Sequence, residues 1–133
     1  MNTKWVLTAS AFVLGAAGIA GSFLPQEIAT ALGLPSTGVL PLLFQLLAAM
    51  LFAFAMLNWM ARGSLIGGIY NRPVAVANVT HFVIGALATV KAVLAGEHRP
   101  SILVVAIVYT IFAAAFSAIL FRSPVAPIPM ATS

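Results

Sequence analysis

The sequence predicts an all-α integral membrane protein: a bundle of four transmembrane helices, both termini cytoplasmic, with a short interfacial helix in the first connection. Three observations carry that prediction. Of the 133 residues, 62% are hydrophobic and only 6% are charged, against roughly 25% charged in a soluble domain. Six basic and two acidic side chains cannot clothe a water-facing surface of this size, and mean hydropathy is +1.13. Four apolar stretches are each long enough to cross a hydrocarbon layer of ~30 Å at ~1.5 Å per helical residue. Between them, five of the eight charges collect in three breaks that also hold five prolines and six glycines.

The spans are Trp5–Phe23, Leu42–Ala61, Val74–Leu94 and Ile102–Phe121. In lipid a backbone must satisfy its own hydrogen bonds, so continuous apolar runs of this length are helices. A transmembrane barrel would show alternation over ~10 residues, which is lacking here. The first span also has signal-like features, Lys4 before the run and Gly18-Ile19-Ala20 near its end. The run is long for a signal's apolar region, and it is read as an uncleaved helix.

The first break opens with Leu24-Pro25-Gln26-Glu27 and closes with Gly33-Leu34-Pro35. Proline suits a first helical position, an acid the positive helix end, and glycine the stop. A short helix is expected there, lying along the membrane surface on Ile28, Ala31 and Leu32. Residues 62–73 hold Gly63, Gly67, Gly68 and Tyr70 and read as an interfacial loop. Gly96 to Pro100 reads as a tight turn. Residues 1–122 form one transmembrane domain in this reading, and 123–133, with Pro124, Pro127 and Pro129, an extended tail.

Four of the six basic residues, Lys4, Arg62, Arg72 and Arg122, fall on the side of the termini; Lys91 and Arg99 fall on the other with both acids. The positive-inside rule then places both termini in the cytoplasm. The basic residues stand singly and form no phosphate-tracking patch, so nucleic acid is not an expected partner. Absence of cysteine excludes disulfides, thiolate catalysis and thiolate metal sites.

Helices in lipid gain nothing hydrophobic by associating, so small residues mark where they touch. The expected seams are Thr8, Ala11, Gly15, Gly18 and Ser22; Ala48, Leu51, Ala55, Asn58 and Arg62; Asn78, His81, Gly85 and Ala88; and Ala106, Thr110, Ala113 and Ser117. Bulky Phe and Leu would then face lipid or a partner chain. A faint repeat joins Phe12-Val13-Leu14-Gly15-Ala16 to Phe82-Val83-Ile84-Gly85-Ala86, and Phe52-Ala53 to Phe112-Ala113. Chance self-similarity of apolar sequence and a duplicated hairpin both account for it.

Thr8, Asn58, Asn78, His81 and Ser117 all fall in the cytoplasmic half of the spans. Intramembrane polar groups face a bundle interior or a wet cavity. They are the candidate ligand-binding cluster, with Trp59, Arg62, Tyr70 and Arg72 as its mouth; plain interhelical hydrogen bonding is the other reading. His81, the one ionisable residue well inside a span, could relay protons or ligate a macrocycle metal. A satisfied neutral histidine is the simpler account, and no cofactor or metal is expected. Catalytic templates fail: no Ser or Thr sits in a triad frame, no carboxylate pair exists, and the glycines of 63–68 lack a following Lys-Ser/Thr. Small multidrug exporters match in size but depend on a Glu in the first helix, and none stands here.

One resemblance has residues behind it. Gly15 leads to Leu24-Pro25-Gln26-Glu27-Ile28 and Leu32-Gly33-Leu34, and later come Lys91, Gly96, Pro100 and Ser101. Residues 12–121 thereby resemble the small DoxX-like four-helix bacterial inner-membrane proteins, although Lys91 stands where the basic residue is usually Arg. The resemblance implies the four-helix fold and a bacterial inner-membrane location, and transfers no catalytic residue. Three functions stay open: a non-catalytic subunit or binder of an apolar small molecule or lipid, in a homo-oligomer or membrane complex; a small transporter or channel; and an enzyme or pigment-binding subunit centred on His81.

Overall fold

The computed structural model describes residues 2–63 and 72–122. They form five helices: α1 (Thr3–Phe23), α2 (Pro25–Ala31), α3 (Val39–Ala61), α4 (Arg72–Leu94) and α5 (Pro100–Arg122). The chain divides into two compact units, one ending at Gly63 and the other starting at Ser64. In the first, α1 packs on α3 with α2 against both; in the second, α4 packs on α5. Four helices are long and apolar enough to cross a membrane. At ~1.5 Å per residue, spans of 21 and 23 residues reach about 31 and 34 Å.

Each long helix starts two or three residues before the apolar run does, at Thr3, Val39, Arg72 and Pro100. A first helical turn can sit among headgroups, because its N–H groups need partners that hydrocarbon cannot give. At α1 the Asn2 side chain accepts from the Lys4 amide at 3.1 Å, and Pro100 begins α5 where no N–H is needed.

Both glycine-closed ends finish in the same way. After α2, Leu34 N–H donates to the Ala29 carbonyl at 2.8 Å and Gly33 N–H to Thr30 at 2.9 Å. After α4, Glu97 N–H reaches Ala92 and Gly96 N–H reaches Val93, both at 3.0 Å. These paired bonds need a left-handed residue, and Gly33 (φ 64°) and Gly96 (φ 102°) supply it. The short helix α2 forms as expected, and its Ile28, Ala31 and Leu32 are not among its buried residues. Pro25 and Ala29 are buried and Ala31 is exposed, because Pro25 follows directly on α1 and fixes which side meets it.

In the first unit the seam on α1 runs Leu7, Ala11, Leu14, Gly18 and Gly21, at alternating steps of four and three, the spacing of interlocking helices. Gly18 and Gly21 let the backbones meet. A Cβ on Gly18 would lie 2.9 Å from the Phe52 backbone nitrogen, and one on Gly21 would lie 2.8 Å from the Ala48 Cβ. On α3 the predicted Ala48, Ala55 and Asn58 are buried. On α1 the predicted Ala11 and Gly18 are buried, whereas Ser10, Leu14 and Gly21 take the places given to Thr8, Gly15 and Ser22. Gln45 reaches across near the α2 end, donating to the Ser22 carbonyl at 3.4 Å.

The second unit corrects the expectation that bulky rings face outward. Phe82 and Phe116 are 0% and 1% exposed. They stack with centroids 5.5 Å apart and planes 9° apart, and Phe112 stacks on Phe82 at 4.9 Å. Ala88, expected on the seam, is exposed, as is Thr110. Rings fill this seam because stacking supplies close van der Waals contact, the main attraction between helices that lipid leaves available.

Candidate functional site

At the end of the first hairpin where α1 begins and α3 stops, side chains from both helices surround a recess of about 420 Å3. Lys4, Thr8 and Phe12 come from α1 at intervals of four, so they stand one above another along one face. Trp59 and Arg62 come from the last turn of α3, and Asn2 and Trp5 complete the rim. The Arg62 guanidinium lies over the Trp59 ring, 3.0 Å from its centroid. Phe12 meets the same ring edge-on, centroids 5.6 Å apart. Cation–π contact holds Arg62 while leaving the guanidinium edge available.

The recess is positively charged and has no acid to offset it. Neither α1 nor α3 contains Asp or Glu. Of the two acids in the chain, Glu27 lies in α2 at the opposite end of the hairpin, and Glu97 lies in the turn between α4 and α5. Glu97 pairs there with Arg99 at 3.2 Å. Arg62 follows the C-terminus of α3, where the helix dipole favours a cation; Lys4 sits in the first turn of α1, where the dipole opposes one.

Beside this recess runs an apolar groove of about 270 Å3, lined by Ala11, Phe12, Gly15, Phe52, Ala55, Met56 and Trp59. Phe12 and Trp59 line both depressions, so the charged recess and the greasy groove adjoin across one pair of rings. The groove exists because Gly15 and Ala55 are small. A Cβ on Gly15 would meet the Ala55 Cβ at 3.5 Å, ordinary contact.

Of the predicted cluster, Thr8 lines the recess, together with Trp59 and Arg62 from its predicted mouth. The Thr8 hydroxyl donates to the Lys4 carbonyl in its own helix at 2.7 Å, leaving lone pairs to accept. Asn58 turns into the seam instead, and its Nδ2 donates to Ser10 Oγ at 2.9 Å, both residues 0% exposed. Ser10 in turn donates to the Leu7 carbonyl. Ser10 was missed by sequence reasoning, although its place on the Ser10–Leu14–Gly18–Gly21 line was a usable signal.

In the second unit, Asn78 is buried and donates to the Val74 carbonyl at 2.9 Å. His81 Nε2 lies 3.2 Å from the Tyr109 hydroxyl, with both side chains half-buried. Tyr109 was also missed; a Cβ on Gly85 would collide with its ring, so the glycine makes room for the histidine's partner. Ser117 is half-buried next to Phe116, and Arg72 is exposed at the start of α4. Tyr70 lies outside the described residues. Among the described residues, no three of His, Cys, Asp or Glu gather to hold a metal.

These features define a small polytopic α-helical membrane protein with an amphiphilic depression on its first hairpin. No protein-family model, no curated protein and no solved structure matches the chain.

Proposed function

We propose that this chain is a non-catalytic membrane protein that binds a lipid along its first hairpin, with hydrocarbon in the groove beside Phe12, Phe52 and Met56. The observation that carries the reading is the adjacency of an apolar groove and a cationic recess sharing Phe12 and Trp59. A lipid has the same two-part form, and the large side chains that line the groove are accessible. Phe12, Phe52 and Met56 are each more than 40% exposed, so a chain can enter sideways. In this reading this end of the hairpin, and both termini, lie in the cytoplasm, the side that the positive-inside count favours. A bacterial inner-membrane location, that of the DoxX-like proteins which residues 12–121 resemble, belongs to the same proposal.

A lipid carrying a photoactivatable group on its acyl chain tests this. In liposomes, crosslinks are expected to concentrate on Phe12, Phe52, Met56 and Trp59. Equal labelling of outward residues that line no groove, such as Ile84, Leu87 and Val104, would replace a bound lipid with an unselective annulus.

A further inference from the structure

We infer that the recess at the Lys4–Arg62 end selects its lipid by headgroup and takes an acidic phospholipid, the phosphodiester seated between Lys4 and Arg62. The inference rests on the lipid-binding reading and names the class of lipid. Three features of the recess support it.

The first is uncompensated charge. Two cations from two helices converge on one depression, and neither helix offers an acid. Lys4 also stands at the positive end of its helix dipole. An anion between Lys4 and Arg62 relieves both repulsions at once. The second is the donor geometry. Arg62 is held flat on Trp59, which presents its N–H edge in a fixed plane suited to two phosphate oxygens. Asn2 accepts the Lys4 amide through Oδ1, so its Nδ2 is the polar group it has left to offer.

The third is size and polarity. The recess, about 420 Å3, is larger than the groove of about 270 Å3 beside it. A lone carboxylate on a fatty acid would leave most of it unfilled, whereas a phosphodiester with a further hydroxylated group would occupy it. Trp5 and Trp59 at the rim are the residue type enriched at headgroup depth. Phosphatidylglycerol carries its hydroxyls beyond the phosphodiester and its acyl chains on the other side of it, so one molecule spans a polar recess and an adjoining apolar groove.

The test is native mass spectrometry of the full chain, released from micelles with equal amounts of phosphatidylglycerol and phosphatidylcholine of identical acyl chains. At roughly fivefold per cation near an anionic headgroup, phosphatidylglycerol adducts should exceed phosphatidylcholine adducts by about twentyfold. Lys4→Gln and Arg62→Gln should each lower that ratio about fivefold, the double variant should bring it to parity, and Arg62→Lys, which keeps the charge and loses the fork, should lower it less than Arg62→Gln does. Parity in the unaltered chain, or a preference that survives the double variant, overturns the inference. Met56→Trp separates the two readings, since it fills the groove at a 45% exposed position outside the helix seam. Fewer adducts of both lipids with the ratio retained supports groove and headgroup site together. Groove-localised crosslinks without headgroup preference sink the headgroup inference alone. Adduct counts unmoved by Met56→Trp, with evenly spread crosslinks, sink both, as would a second copy of the chain seated there in place of lipid.

Discussion

The two hairpins solve the same problem with opposite materials. In the first, Gly18, Gly21, Ala48 and Ala55 bring two backbones into contact, and an open groove remains beside them. In the second, Phe82, Phe112 and Phe116 stack and fill one part of the α4–α5 seam. Further along it Val90, Val93, Leu94, Leu103 and Ile107 line an apolar groove of about 330 Å3, with no cation among its lining residues. The faint sequence repeat sharpens the contrast. Phe12, Phe52 and Met56, in the positions matching Phe82, Phe112 and Phe116, line the groove and stay exposed. Similar words in the two halves therefore carry different structural meanings. What differs is the neighbour: Gly15 faces Ala55 and leaves a gap, while Gly85 faces Tyr109 and is covered.

The comparison can be broken by substitution, and the largest effect should come from the ring-built hairpin. Phe82→Ala removes the centre of the stack, and a loss of about 3–5 kcal/mol is expected for a fully buried phenylalanine. Denaturant titration in mixed micelles reads it; a loss comparable to that at exposed Phe121 would show that the stack contributes little. The glycine-built hairpin should respond to additions instead. Gly18→Ala places a methyl against Phe52 and Ala48 backbone atoms and should destabilise by about 1–3 kcal/mol. Gly15→Ala, three residues away with room for a methyl, should be close to neutral. Equal effects at the two positions would mean that the helices meet elsewhere.

The smallest effect should be polar. A double-mutant cycle of Ser10→Ala and Asn58→Ala isolates the bond between them, and about 0.6 kcal/mol is expected, near 1.7 at most. A coupling of zero in thermal unfolding would reassign Asn58 to its other neighbours.

The four spans were legible because apolar length against bilayer thickness is a constraint that no tertiary detail overrides. Helix ends at Phe23, Ala61 and Leu94 fell where the runs stop. Rotation about each helix axis was read less well. On α3 the line Ala48–Ala55–Asn58 held, since small residues there are flanked by large ones. On α1, where small residues occur all round, Thr8 and Ser10 were equally plausible seam members, and Thr8 satisfies its hydroxyl locally. On α4 and α5 the rule that small residues mark contact held in part: Asn78, Ala106 and Ala113 are buried, whereas Ala88 and Thr110 are exposed and the largest buried side chains are rings. Phe82 packs because Phe112 and Phe116 lie opposite it, a pairing between distant positions that one helix read alone does not reveal. The recess was half legible, since Trp59 and Arg62 were read as a pocket mouth. Lys4 was read only as a topology signal.

The turn between α4 and α5 has a bearing on how this chain reaches its membrane. When a helical hairpin enters a bilayer as a unit, its bend is the leading edge, and a lone arginine there is opposed by about 2.5–3.5 kcal/mol at mid-depth. Here Glu97 travels with Arg99 as an ion pair, and the amides of Gly96 and Glu97 are already bonded to the helix behind them. The turn itself is thus electrically neutral and largely self-satisfied. Breaking that pair by Glu97→Gln would burden the entry of this bend into a bilayer, while the backbone bonds that close the turn remain in place.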